Sequence, residues 1–167
     1  MKQMLEMIGY NSWANQKFRD TLSTISFDKL KAETIYGPLI ERIIHIFASI
    51  DLWLARIDGK SPTSMPTSKD FQTWDTIVKA WELSDRRLLT YARSTKSLDK
   101  LDKKISYKSI KGDPFESTIG HILTHLSHHQ MYHRGQVAMS LRQLKLPAAP
   151  QTDVIVFFRS PDKEKYL

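Results

Sequence analysis

The sequence predicts an all-α fold: a four-helix bundle with a long connection between its second and third helices and an extended C-terminal tail. Two observations carry this expectation. Four segments of about twenty residues repeat apolar side chains at three- and four-residue spacing, and a run of some ten residues with no periodicity separates the second from the third. At 167 residues with 41% hydrophobic content, the chain suits one domain spanning 1–167 with a sizeable core.

The first helix is expected over residues 3 to 23, where Met4, Ile8, Asn11, Asn15, Phe18 and Leu22 share one stripe with Tyr10, Trp13 and Ala14 alongside. The second carries Leu39, Ile40, Ile43, Phe47, Ile50, Leu54 and Ile57 and stops at Asp58-Gly59. Residues 60 to 69 hold two prolines and five hydroxyl residues and read as a loop across the bundle end. Phe71, Trp74, Ile77, Val78, Trp81, Leu88 and Tyr91 mark the third helix, with Ser68 or Asp70 as the expected cap. Alternation at Ile105 and Tyr107 suggests a brief strand within 103 to 112. The fourth helix is expected to start with Asp113 as cap, Pro114 in the first turn and Glu116 completing a capping box, and to run to about Lys145, ahead of Pro147. In the tail, Val154 to Phe158 reads as a strand or a packed extended segment.

Composition excludes several chemistries. With no cysteine there is no disulfide framework, Fe–S cluster, thiolate zinc site or cysteine nucleophile, so any thiol would come from outside and any metal ligand must be His, Asp or Glu. No apolar run reaches the roughly 20 residues that cross a bilayer, and charges at Lys2, Glu6, Lys17, Arg19 and Asp20 exclude a signal-peptide core; the expectation is a cytoplasmic protein without membrane partners. The net charge of +7 gathers at Arg93, Lys96, Lys100, Lys103, Lys104, Lys108 and Lys111, against only Asp99 and Asp102 in that stretch. Only Tyr107 is interleaved there, so a solvated loop is expected rather than a nucleic-acid partner.

Five of the six histidines lie between His121 and His133. At about 100° per residue, His129 and His133 fall within about 40° of the stripe formed by Ile119, Ile122, Leu126, Val137 and Leu144, while His125, His121 and His128 turn progressively toward the flank. Two neutral imidazoles in an apolar seam need partners. A divalent metal satisfies both, and so do hydrogen bonds or a water-filled groove; spacing leaves these alternatives open. His45, the remaining histidine, lies opposite the main apolar stripe of the second helix, on a face with Ala48, Ser49 and Leu52, and spacing leaves its role undecided too. Gln130 stands where a zinc protease helix carries its general base, which excludes that reading, and no nucleophile elbow, phosphate loop or dinucleotide motif is present.

His125-x-x-x-His129-x-x-Tyr132-His133-Arg134-Gly135-Gln136, followed by Leu141-Arg142 and a Pro-containing turn to Thr152-Asp153, resembles the C-terminal signature of the DinB (DNA-damage-inducible) family. Tyr10-Asn11-x-Trp13-Ala14-Asn15 resembles its N-terminal signature, and Leu39 through Asp51-Leu52-Trp53-Leu54-Ala55-Arg56 its second-helix block around one histidine. Two positions depart from the pattern: Ile44 stands where the family often has Asn, and Lys145 where it often has the helix-ending Gly. The resemblance implies an up-down-down-up bundle, often a homodimer, with a divalent metal, zinc or nickel, held by His45, His129 and His133. His125 matches a frequent family histidine outside that ligand set.

The family resembles a wider superfamily of thiol-dependent S-transferases and isomerases that use bacillithiol, mycothiol or glutathione. The function this implies is a metal-dependent enzyme that activates a low-molecular-weight thiol or water for attack on a small electrophile, of S-transferase or hydrolase type. The alternative is a non-catalytic metal-binding stress-response protein, its ion stapling the bundle. Asn11, Asn15, Tyr132 and His125 are candidates to support the ligands or touch substrate, although helix packing explains buried asparagines equally well. Arg134 is expected to anchor a helix or dimer contact.

Overall fold

Four long helices bury their apolar stripes against one another in the computed structural model, which describes residues 2–95 and 97–167; Lys96 of the basic segment lies outside them. In chain order these are α1 (Lys2–Leu22), a single turn α2 (Phe27–Leu30), a minimal hairpin of β1 (Glu33–Thr34) and β2 (Gly37–Pro38), α3 (Leu39–Ile57), a 3₁₀ turn (Ser68–Asp70), α4 (Trp74–Ser94), the short α5 (Leu98–Asp102), a hairpin of β3 (Lys104–Lys108) and β4 (Pro114–Thr118), α6 (Ile119–Gln143), α7 (Val154–Arg159) and a closing 3₁₀ turn (Pro161–Lys165). Among the described residues, no helix is long and apolar enough to cross a membrane.

α1 and α3 each pack against both α4 and α6. Residue pairs set the directions. Asn11 meets Ser127 and Asn15 meets Gln130, so α1 and α6 run together; Phe47 stacks on Trp81 and Asp51 bonds Ser84, so α3 and α4 run together. The two pairs run oppositely, because Leu39 shares a cluster with Leu141 whereas Leu54 shares one with Ile119. One core cluster centres on Phe18, Ile43, Phe47, Trp81 and Val137, the other on Ile8, Ile50, Leu54, Leu88 and Leu126. Each such side chain contributes roughly 1.5–3 kcal/mol by leaving water.

Three local expectations are corrected. The third long helix is capped by Thr73, whose hydroxyl accepts from the Thr76 N–H at 3.3 Å, not by Ser68 or Asp70. Asp70 instead closes the 3₁₀ turn by accepting from the Thr67 N–H at 2.7 Å, and Phe71 is extended so that its ring meets Phe47 at 5.8 Å. Residues 114–118, expected as the first turn of the last long helix, form β4, antiparallel to β3 with Tyr107 opposite Phe115. The alternating β3 needed a partner, and Asp113 serves the turn, accepting the Ser109 hydroxyl at 3.1 Å beside Gly112 at φ +97°. The helix starts one strand later, where Thr118 accepts from the His121 N–H at 3.1 Å.

The tail run 154–158 is helical rather than extended. Among the described residues the sheets are the two hairpins, so a lone strand here would leave its backbone unpaired; instead Val156 and Phe157 donate to the Asp153 carbonyl, and Phe157 packs against Tyr10 and Trp13. α6 ends in a Schellman motif: Leu146 donates to the Leu141 carbonyl, Lys145 donates to that of Arg142, and Lys145 takes the left-handed φ of 53° that glycine usually occupies.

Candidate metal centre

α3 and α6 face each other along their middle turns. His45 lies on α3, with Ser49 one turn on, and His129 and His133 lie one turn apart on α6. One ring nitrogen from each of His45, His129 and His133 lies within 4.8 Å of the others. The Nε2 atoms of His45 and His129 are 3.1 Å apart, and ring centroids are separated by 4.5 Å for His45–His133 and 4.3 Å for His129–His133.

Neighbours orient two of the rings. Gln136 Oε1 lies 2.7 Å from His133 Nδ1 and can only accept, so Nδ1 carries the proton and Nε2 keeps its lone pair. The Ser49 hydroxyl donates to the Ile46 carbonyl at 2.9 Å, leaving its oxygen to accept from His129 Nδ1 at 3.2 Å, which frees His129 Nε2 in the same way. Burial, the nearby His133 and Arg42 push His45 down to about 4; burial, then His133, His45 and His125, push His129 down to about 3; burial lowers His133 as well. All three rings are therefore neutral near pH 7.

This donor set fits a divalent ion. Nitrogens bound to one tetrahedral ion at 2.0–2.1 Å stand about 3.3 Å apart, close to the 3.1 Å between His45 Nε2 and His129 Nε2, and one ring nitrogen of His133 lies within 4.8 Å of both rings' donors. The side-chain partners that fix the tautomers are the supports that metal-bound histidines ordinarily have.

The other sequence candidates divide. His125 is exposed, its ring 5.1 Å from His129 and 5.3 Å from Trp53. Tyr132 is exposed too, with its ring edge-on to His133 at 5.0 Å. Neither belongs to the group of three. Asn11 and Asn15 lie elsewhere, on the flank of α1 that meets α4 and α6. Arg134 donates to Asn15 Oδ1 at 2.8 Å and to Asn11 Oδ1 at 2.7 Å; Asn11 donates to the Ser127 carbonyl at 3.1 Å, and Asn15 donates to Asp85 at 2.8 Å and to Gln130 at 2.6 Å. Arg134 thus anchors α6 to α1. Arg19 completes this buried network through Asp85 at 2.5 Å, and burial lifts Asp85 to about 6 despite Arg19.

Sequence reasoning gave Asp85, Arg19 and Gln136 no role, though the last two had a signal. Arg19 continues the Asn11, Asn15 spacing by one more turn, and Gln136 follows His133 by three residues on a helix.

A model described as the DinB family matches residues 1–161. Protein DinB of Bacillus subtilis (strain 168) is 24% identical over 166 residues, which cover 93% of this chain and 94% of that protein. The crystal structure of a DinB-like protein from Bacillus cereus ATCC 10987 superposes with a TM-score of 0.66 at 22% identity, over 90% of this chain and 96% of that one, a likeness of fold. With the family model spanning all but the last residues, this chain belongs to the DinB family.

Proposed function

We propose that His45, His129 and His133 hold a divalent ion, zinc or nickel, and that the protein is a metal-dependent enzyme in which a low-molecular-weight thiol or water attacks a small electrophile. The observation that carries this reading is the convergence of three neutral imidazoles, two of them with tautomers fixed by Ser49 and Gln136. Three protein ligands leave a coordination position for a non-protein group, and an ion there lowers the pKa of a bound water or thiol. The chain's own contribution is orientation and proton handling. Ser49 and Gln136 hold two rings in place, Tyr132 stands at the rim beside His133, and His125 is neutral and exposed one turn from His129, able to accept a proton.

The placement of the ligands also suits a second reading. His45 comes from α3 and the others from α6, so an ion would staple the two helices without turnover. Glutathione and 1-chloro-2,4-dinitrobenzene separate the two: the thiolate displaces chloride from the ring, and the product is followed by absorbance. The enzyme reading expects zinc-loaded protein to exceed the thiol-only rate, with the excess lost on chelation and in His45→Ala. A rate indifferent to zinc in protein that binds zinc would leave the stapling reading and overturn this catalytic one.

A further inference from the structure

The hairpin of β3 and β4 and the loop after α3 enclose a cleft of 710 Å³, within the size range of pockets that hold small ligands. Tyr107 and Lys108 of β3, Phe115 and Glu116 of β4, and Gly59 and Ser61 of the loop line it, and the histidine triad lies outside it. Both walls are fixed by contacts of their own. The Lys108 N–H donates to Ser61 Oγ at 3.0 Å and ties strand to loop. The Tyr107 ring packs edge-on against Trp53 at 5.1 Å and meets the Arg56 guanidinium at 4.8 Å, and its hydroxyl lies 3.2 Å from that of Ser117. A wall that is rigid beforehand loses little freedom when something binds to it.

Phe115 is opposite Tyr107 in the strand pairing, and the two rings form a stack, with centroids 6.0 Å apart and planes 26° from parallel. Phe115 is nonetheless 52% exposed, so the stack ends on an aromatic ring that meets water at the cleft. Charge decides what fits beside it. Among the described residues, Glu116 is the one carboxylate lining the cleft, and Lys104 holds it at 2.8 Å. Lys108 forms no salt bridge among the described residues, and neither does Lys60, which is exposed between Gly59 and Ser61. The Ser61 oxygen accepts from Lys108, which leaves the Ser61 O–H to donate to a ligand. The cleft therefore offers an open ring, a hydroxyl donor and an uncompensated positive charge.

We infer that the hairpin cleft binds a small planar aromatic anion, its ring stacked on Phe115 and its carboxylate or phosphate held by Lys108 and the Ser61 hydroxyl. Ring stacking and a charge-assisted hydrogen bond reward different parts of one molecule, so a neutral arene or a non-aromatic acid binds less well. This site stands apart from the histidine centre and does not rest on the metal reading.

The test is titration of full-length ¹⁵N-labelled protein with 2-naphthoate, 1-naphthyl phosphate, neutral 2-naphthamide and cyclohexanecarboxylate, following the backbone amide signals by NMR. The expected result is a set of saturable shifts centred on Ser61, Tyr107, Lys108 and Phe115 with a naphthyl anion, unchanged after chelation of metal; the tighter anion names the acid group. The amide and the non-aromatic acid should bind roughly tenfold more weakly. Phe115→Leu keeps an apolar surface without a ring, and Lys108→Gln removes the charge; both side chains are exposed, and each change should weaken anion binding roughly fivefold or more. No saturable shift at the hairpin, equal binding of the amide or of cyclohexanecarboxylate, or shifts that vanish on chelation would overturn the assignment. So would binding of oligothymidylate that tightens with strand length, which would make the hairpin a nucleic-acid surface instead of a small-molecule site. Because wild-type signals report where the ligand sits, the outcome does not depend on either variant folding.

Discussion

At the scale of single residues, backbone strain and imidazole desolvation make checkable claims. Lys145 sits at φ 53° in the Schellman turn after α6, a conformation that costs a side-chain-bearing residue roughly 1 kcal/mol. Lys145→Gly should therefore raise the urea midpoint, by roughly 0.5 kcal/mol of stability, the relieved strain less the added freedom of the unfolded chain. His129 gives a pH prediction. In metal-free protein the folded ring resists protonation down to about 3, whereas unfolding returns it to an ordinary imidazole near 6.5. Between those values the unfolded chain binds the extra proton, so this contribution is fully present above about 6.5 and is lost as the pH falls. Asp85, raised to about 6, acts with the opposite sign between its unfolded value and 6. His129→Gln isolates the histidine term: the gain in stability from pH 5 to pH 7, measured by urea unfolding, should shrink relative to wild type. An unchanged gain would mean that the ring is not desolvated.

At the scale of elements, the C-terminal segment is a working part of the bundle. Phe157 fills the gap beside Tyr10 and Trp13, the Tyr10 hydroxyl donates to the Thr152 carbonyl at 2.7 Å, and the chain end comes so close to α1 that a Cβ on Gly9 would stand 2.6 Å from the Tyr166 carbonyl oxygen. Inside an ordinary helix, replacing Gly with Ala stabilises by about 0.5–1 kcal/mol. Gly9→Ala should instead lower the thermal midpoint, and deleting residues 160–167 together with the substitution should restore the helix gain. A stabilising single substitution would show that the tail does not dock there. The same scale explains the misplaced start of α6. Asp113, Pro114 and Glu116 have the local chemistry of a helix start, but Ile105 and Tyr107 on β3 need a partner strand, and pairing with Pro114–Thr118 outweighs the local signal.

For the whole molecule, the four long helices were legible because each carries a stripe that must be buried, and burial in a bundle follows period. The relation between helices was not legible in the same way. Helical angle alone placed His45 opposite the apolar stripe of α3; the structure buries that helix on nearly every side, with Ile40, Ile43, Ile44, Ile46, Phe47 and Ile50 all inside, so the angle carried little information. The family resemblance pointed to His45, and packing of α3 on α6 then places its ring 4.9 Å from His129. Asn11 and Asn15 stood out as polar residues in an apolar stripe, but their partners Asp85, Gln130 and Arg134 lie on other helices, and no spacing within α1 could tell a packing network from a site.

The central claim is that side chains from two helices hold one ion, and metal content of tag-free protein by elemental mass spectrometry tests it most directly, with wild type beside His45→Ala and His129→Ala. The account predicts near-stoichiometric zinc or nickel in the wild type and loss of the metal in both variants, although the substitutions sit on different helices. Wild-type protein that is metal-free and cannot be loaded with either ion would contradict it, as would full retention of metal in either variant.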